Sequence, residues 1–165
     1  MTPASEEVLD RLARLLGEQA GRAGVLLATA ESCTGGWLAK VITDIPGSSG
    51  WFERGFVTYS NAAKQELLGV RAETLAEAGA VSEATAAEMA AGALAHSRAD
   101  LAVAITGIAG PGGAVPGKPV GTVCFGFARR EQAVETETLH FPGDRGGVRR
   151  QSVRHALEGL LERLP

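Results

Sequence analysis

The chain has 165 residues, 45% hydrophobic and 21% charged, with a formal net charge of −3 and a pI of about 5.6. That is the profile of one soluble globular domain with a buried core. It offers no basic grip for nucleic acid, and no apolar run reaches the ~18 residues that a membrane span needs.

Residues 4–20 place Val8, Leu9, Leu12, Leu15 and Leu16 at helical spacing, with charges between them. This start is an amphipathic helix rather than a signal peptide. Residues 25–29 read as a buried strand. Residues 34–44 read as a helix, stopped by the run Ile45-Pro46-Gly47-Ser48-Ser49-Gly50. The β-rich, alternating stretch 52–60 predicts a strand. Residues 61–68 look helical with a Gly69 stop, and 72–79 form a short helix. Ser82 opens an Ala-rich helix to about Ser97 as an N-cap.

"LAVAIT" (101–106) is a continuous apolar run, as in a central strand covered on both faces. The loop "GIAGPGGAVPGKPVG" follows. Residues 120–129 and 133–140 read as two strands of a hairpin. Residues 144–164 make a last, Arg-rich helix. No repeat or linker interrupts this order. The expectation is one domain spanning 1–165, a three-layer α/β/α sandwich with a mixed sheet. Ligands in such folds sit at the carboxyl ends of strands. Unusual residues cluster at three such ends, after Thr29, after Thr58 and after Ile105.

Cys33 and Cys124 form no CxxC pair, which points to a reducing, cytoplasmic setting without disulfide or structural zinc. His96, His140 and His155 lie in or at the end of regular elements, away from glycine-rich loops, so a Ser–His–Asp triad is disfavoured. No metal-ligand spacing, Walker A or GxGxxG pattern appears. What remains is serine plus lysine.

Basic residues comprise 13 arginines and only three lysines, Lys40, Lys64 and Lys118. Lys64 falls on the first turn of a predicted helix, just past a strand end. A lysine base must be neutral, so its pKa must fall by about three units, a cost of roughly 4 kcal/mol. Desolvation and a helix N-terminus both push that way; a solvated helix lysine is the alternative. Its partner hydroxyl is either Ser60, four residues away and equally a plain N-cap, or Ser32. Ser32 stands between a buried strand and a helix start at Thr34-Gly35-Gly36, where free N–H groups converge on an oxyanion or phosphate. Geometry favours Ser32. Cys33 competes as nucleophile without an evident base, Thr34 reads as the helix cap, and a plain turn stays the alternative for the whole stretch. Arg145, Arg149 and Arg150 either bind an anionic substrate or decorate the last helix.

In order and spacing, "AESCTGGW", "PGSSGWFERGFVTYSNAAK", "GAVSEATA", "TGIAGPGG…KPVGTV" and "FPGDRGGVRR" resemble the CinA C-terminal domain family. The resemblance covers nearly the whole chain. Standalone members are nicotinamide-nucleotide amidases. The resemblance implies deamidation of nicotinamide mononucleotide to nicotinate mononucleotide and ammonia in NAD recycling, with no cofactor. It also implies a Ser–Lys mechanism with an assisting hydroxyl, roles that fall on Ser32, Lys64 and Thr106. Tyr59 and Asn61 match the family's "YSN" motif at the pocket. The oxyanion would be held by N–H groups of Cys33, Thr34, Gly35 and Gly36 or by the Thr106-Gly107 turn, and the phosphate by Arg145 or Arg149. One departure is visible: Ala114 and Val115 stand where the family has Gly and a hydroxyl residue, so a positive φ at Ala114 would be strained. The rival readings are an amidase for another amide and a non-catalytic nucleotide-binding or competence-associated module. The Ala-rich helices also allow a homodimer.

Overall fold

The structure is a computed structural model and describes residues 4–165. Helix α1 (Glu6–Ala23) is capped by Ser5, whose side chain accepts from the N–H of Val8, and ends at Gly24 in the left-handed conformation. Strand β1 (Leu27–Glu31) follows, then α2 (Trp37–Thr43), a 3₁₀ turn at Ser48–Gly50, and β2 (Phe52–Val57). Three helices come next: α3 (Asn61–Leu68), α4 (Ala72–Ala78) and α5 (Glu83–Ala95). Strands β3 (Leu101–Gly107), β4 (Thr122–Arg129) and β5 (Glu135–His140) and helix α6 (Arg145–Glu162) complete the chain.

The sheet runs β2-β1-β3-β4-β5. The first three strands are parallel, and β4 and β5 join antiparallel as a hairpin, so the sheet is mixed as expected. Alternation along the buried strands sorts the two faces. Leu27, Leu101, Val103 and Ile105 face one way, against Leu9, Leu16, Leu38, Ile42, Val153 and Leu157 of α1, α2 and α6. Ala28, Ala30, Ala102 and Ala104 face the other, against Met89, Ala90 and Ala93 of α5 and Leu68 of α3. The large side chains keep one helix layer at a distance; the alanines let the other approach closely. Within that layer, α5 also passes close to the end of α3. A Cβ on Gly92 would lie 1.9 Å from the Leu68 carbonyl oxygen, so only glycine fits there. This contact fixes α3, the helix that carries Lys64.

Several boundaries shift from the sequence expectation. β1 begins two residues later and runs through Glu31, because the Leu27 N–H bonds the Trp51 carbonyl and Ser32 N–H still reaches Ile105. β2 stops at Val57, since Ser60 turns out to cap α3 by accepting from the Ala63 N–H at 3.0 Å. Helix α2 starts at Trp37 rather than Thr34, because Gly35 and Gly36 both take positive φ, 58° and 95°. Thr34 is therefore not its cap. The buried Glu31 carboxylate does that work: it accepts from the N–H groups of Leu38 (2.8 Å) and Ala39 (3.0 Å) and from the Thr34 hydroxyl (2.7 Å). At Ala114 the feared strain does not arise, as the loop puts its positive φ values on Gly110, Gly113, Gly117 and Gly121.

Candidate active site

Parallel pairing in register decides which strand ends meet. Glu31 of β1 lies opposite Val57 of β2 and Ile105 of β3. The next residues of the three strands, Ser32, Thr58 and Thr106, therefore stand side by side at one edge of the sheet. A cleft of about 210 Å³ opens there, with Ser32, Cys33, Tyr59, Asn61, Lys64, Thr106, Gly107 and Arg145 on its walls. A larger groove of about 460 Å³ between β5 and α6 brings no serine, cysteine or lysine to its walls.

Lys64 is the centre of the cleft. It is 1% exposed, and its ammonium nitrogen lies 3.1 Å from Ser32 Oγ, 3.0 Å from the Thr58 carbonyl and 3.4 Å from the Tyr59 carbonyl. Burial pushes its pKa below the ordinary lysine value, opposed only by the nearby Cys33 sulfur. No carboxylate pairs with it among the described residues. A neutral amine has two N–H groups and one lone pair. Two carbonyls can take the N–H groups, and the lone pair then faces the Ser32 hydroxyl. The three oxygen partners fit either form, and burial is what favours the neutral one.

Ser32 is 8% exposed and forms the start of the turn after β1. Its neighbour Cys33 is buried, and burial first, then the Glu31 charge, push the thiol up to about 12. A thiol so placed stays protonated, and the Ser32 hydroxyl beside it is the one in contact with the lysine. The Thr106 hydroxyl donates to the Ala80 carbonyl at 2.8 Å, so its proton is engaged and its oxygen lone pairs are what it offers the cleft. Arg145, at the start of α6, bridges the mouth: Nη1 donates to the Gly110 carbonyl (2.9 Å) and Nη2 to the Tyr59 hydroxyl (3.3 Å).

Of the sequence-predicted site residues, the cleft gathers Ser32, Lys64, Thr106, Cys33, Tyr59, Asn61, Gly107 and Arg145. It does not gather Thr34, Gly35, Gly36 or Arg149. The Thr34 hydroxyl is spent on Glu31. The Trp37 N–H is spent on the Thr34 carbonyl and those of Leu38 and Ala39 on the same carboxylate, so none is free to hold a phosphate. Arg149 turns to the opposite side of the turn, where it donates to the carbonyls of Cys33 (2.9 Å) and Thr34 (3.3 Å). Glu31 is the residue that sequence reasoning passed over. Its signal was an acidic residue inside an otherwise apolar strand end, a position where charge needs a partner. The three histidines stay outside: His155 pairs with Glu137 at 2.6 Å and His96 with the Gly92 carbonyl at 2.8 Å. No group of three His, Cys, Asp or Glu side chains that could hold a metal occurs among the described residues.

A mixed α/β sandwich with a buried lysine on a serine hydroxyl, at the carboxyl ends of parallel strands, puts that pair where ligands bind in such folds. The family model of the CinA C-terminal domain matches residues 9–164. The chain belongs to that family. It is 59% identical over 151 residues to the nicotinamide-nucleotide amidohydrolase PncC of Escherichia coli K12, covering 89% of this chain and 92% of that one. It is 53% identical over 157 residues to the protein of the same name from Enterobacter agglomerans, covering 95% and 96%. Among solved structures, a competence/damage inducible protein of Agrobacterium tumefaciens superposes with a TM-score of 0.91 at 47% identity over 94% of each chain.

Proposed function

We propose that this protein is a nicotinamide-nucleotide amidase, hydrolysing nicotinamide mononucleotide to nicotinate mononucleotide and ammonia by a serine–lysine mechanism in NAD recycling. The contact between the buried Lys64 amine and Ser32 Oγ carries the reading, and the names of the close relatives support its substrate. Lys64 takes the Ser32 proton as Oγ bonds to the carboxamide carbon, and the carbonyl electron pair moves onto oxygen. Backbone N–H groups hold that oxyanion. The intermediate collapses with C–N cleavage, and ammonia leaves with the proton returned by Lys64. Thr106, its own proton engaged, accepts a hydrogen bond from the amide NH₂ and orients it. Water, deprotonated by Lys64, then hydrolyses the acyl-serine and regenerates the enzyme.

Arg145 is the one arginine on the cleft wall among the described residues, which supports a place there for the substrate's phosphate. A cytoplasmic setting goes with this reading: Cys33 and Cys124 are buried free thiols. No helix among the described residues is long and apolar enough to cross a membrane.

The test is ammonia release across a panel of amides, with Ser32→Ala as control. The reading expects release from nicotinamide mononucleotide and a loss of about 10³-fold or more in the folded Ser32→Ala protein. Release from other amides only would change the substrate. Release from none would leave a binding module.

A further inference from the structure

Of the two arginines offered to the phosphate, Arg149 faces away from the cleft and grips the nucleophile's own turn. Arg149 Nε donates to the Cys33 carbonyl at 2.9 Å and Nη2 to the Thr34 carbonyl at 3.3 Å. Its guanidinium carbon stands 5.4 Å from the centre of the Trp37 ring, at the start of α2. The carbonyls it grips belong to the two residues directly after Ser32.

In a trans peptide, the carbonyl and the following N–H point in opposite directions. The Cys33 carbonyl points at Arg149, so the Thr34 N–H points away from it. The Ser32 carbonyl accepts from the Gly35 N–H at 3.0 Å, so the Cys33 N–H likewise points out of that small turn. No backbone carbonyl accepts from either N–H among the described residues, and the Cys33 N–H faces its own sulfur; Cys33 and Thr34 are buried. A buried N–H without an acceptor is costly unless a ligand supplies one. Ser32 and Cys33 both border the cleft.

We propose that Arg149 is a positioning residue for the amide hydrolysis: its hold on the Cys33 carbonyl sets the direction of the Thr34 N–H, and its hold on the Thr34 carbonyl keeps the Gly35 N–H on the Ser32 carbonyl, which sets that of the Cys33 N–H, so that both serve the oxyanion formed on the substrate carboxamide. This inference rests on the amidase reading. A charged donor on a peptide carbonyl also polarises that peptide and strengthens its N–H as a donor. Two carbonyls held by one planar fork explain why an arginine stands here, since lysine presents a single point charge. The charge lies behind the donors rather than in the cleft, so it adds little to binding of the neutral carboxamide. It acts as the carbonyl oxygen becomes negative, which is when it counts toward rate.

The experiment uses Arg149→Lys and Arg149→Met, the second keeping an apolar stem over Trp37. Three quantities are measured for each: kcat and KM for nicotinamide mononucleotide, the affinity of the product nicotinate mononucleotide, and the affinity of the nucleotide carrying an aldehyde in place of the carboxamide. The aldehyde adds Ser32 Oγ to its carbonyl carbon and places an oxyanion where the reaction does. Losing one oxyanion donor costs about 10²–10³-fold in rate, so kcat and aldehyde affinity are expected to fall together by about 10²-fold, with KM and product affinity within about threefold. Undiminished kcat overturns the proposal. So does a parallel fall of product and aldehyde affinity, which a phosphate contact or a loosened fold would give. The wild-type aldehyde adduct, solved by crystallography, decides the matter if both variants fail to fold: its oxygen within hydrogen-bond distance of the Cys33 and Thr34 nitrogens supports the proposal, and its oxygen elsewhere overturns it. A wild-type protein that releases no ammonia sinks the amidase reading itself; an active one with undiminished Arg149 variants sinks only this inference.

Discussion

Lys64 and Ser32 are 32 residues apart in the chain and 3.1 Å apart in space. Their contact joins the start of α3 to the turn after β1, across the carboxyl end of β2. Nothing local to either residue brings them together. The parallel pairing of β1 with β2 does so, and the close packing of α3 on α5 at Gly92 holds the lysine in place.

A lowered Lys64 pKa has two linked consequences for pH. The proposed base is the neutral amine, so kcat/KM is expected to rise with pH through the folded pKa of Lys64, with the slope of a single deprotonation, and then level off. Between that pKa, which lies below 10.5, and the ordinary value of 10.5, the unfolded chain binds the proton that the folded chain has lost. Stability therefore rises with pH across the same window. Melting temperatures of wild type and Lys64→Met, compared across that window, should diverge in favour of wild type as pH rises. A constant difference would mean that Lys64 keeps its proton when folded.

Cys33 is expected to be inert as a thiol. With its pKa pushed up to about 12, the thiolate fraction at pH 8 is on the order of 10⁻⁴. Iodoacetamide should leave it unmodified in the native protein and alkylate it in denaturant, as read by mass spectrometry. Rapid native alkylation would restore Cys33 as a rival nucleophile.

Glu31 holds three donors with one buried carboxylate. Glu31→Ala leaves all three unsatisfied and is expected to cost about 3–5 kcal/mol, measured as a fall in the urea midpoint. Glu31→Gln keeps the shape and part of the bonding, and should lie between the two. A loss below about 1 kcal/mol for Glu31→Ala would show that water replaces the carboxylate as the cap of α2.

Arg145 stands at the cleft mouth, where the substrate's phosphate is proposed to bind. Arg145→Ala is expected to raise KM for nicotinamide mononucleotide by about 10–100-fold, with kcat changed far less. Nicotinamide riboside, which lacks the phosphate, should be hydrolysed equally by both proteins. Equal loss on both substrates would place the phosphate elsewhere and leave Arg145 as the tie between Tyr59 and Gly110.

Helices and strands were legible because their signals are local. The Leu spacing of α1, the Ser caps of α3 and α5 and the glycine stop at Gly69 act within a few residues. Boundaries at β1 and α2 were misplaced because they depend on partners elsewhere in the chain: Trp51 and Ile105 extend or delay the strand, and the Glu31 carboxylate replaces a side-chain cap next to the helix. Arg149 was misassigned for the same reason. Helical spacing showed that it lay near Arg145, but one turn of α6 separates an arginine at the cleft mouth from one that grips the back of the turn.

The sequence alone determined the layers and the strand ends, and it singled out Ser32 and Lys64 as a candidate pair. Scarce lysine, poorly placed histidines and a buried strand running into glycines are properties of residue type and order. Tertiary structure decided what each group does. It set the burial that lowers the Lys64 pKa and raises that of Cys33, and it spent the Thr34 hydroxyl and the N–H groups of Leu38 and Ala39 on Glu31. It also put Arg149 behind the turn rather than in the cleft. Desolvation and hydrogen-bond partnership arise between segments far apart in the chain, so they exist only once the sheet has brought those segments together.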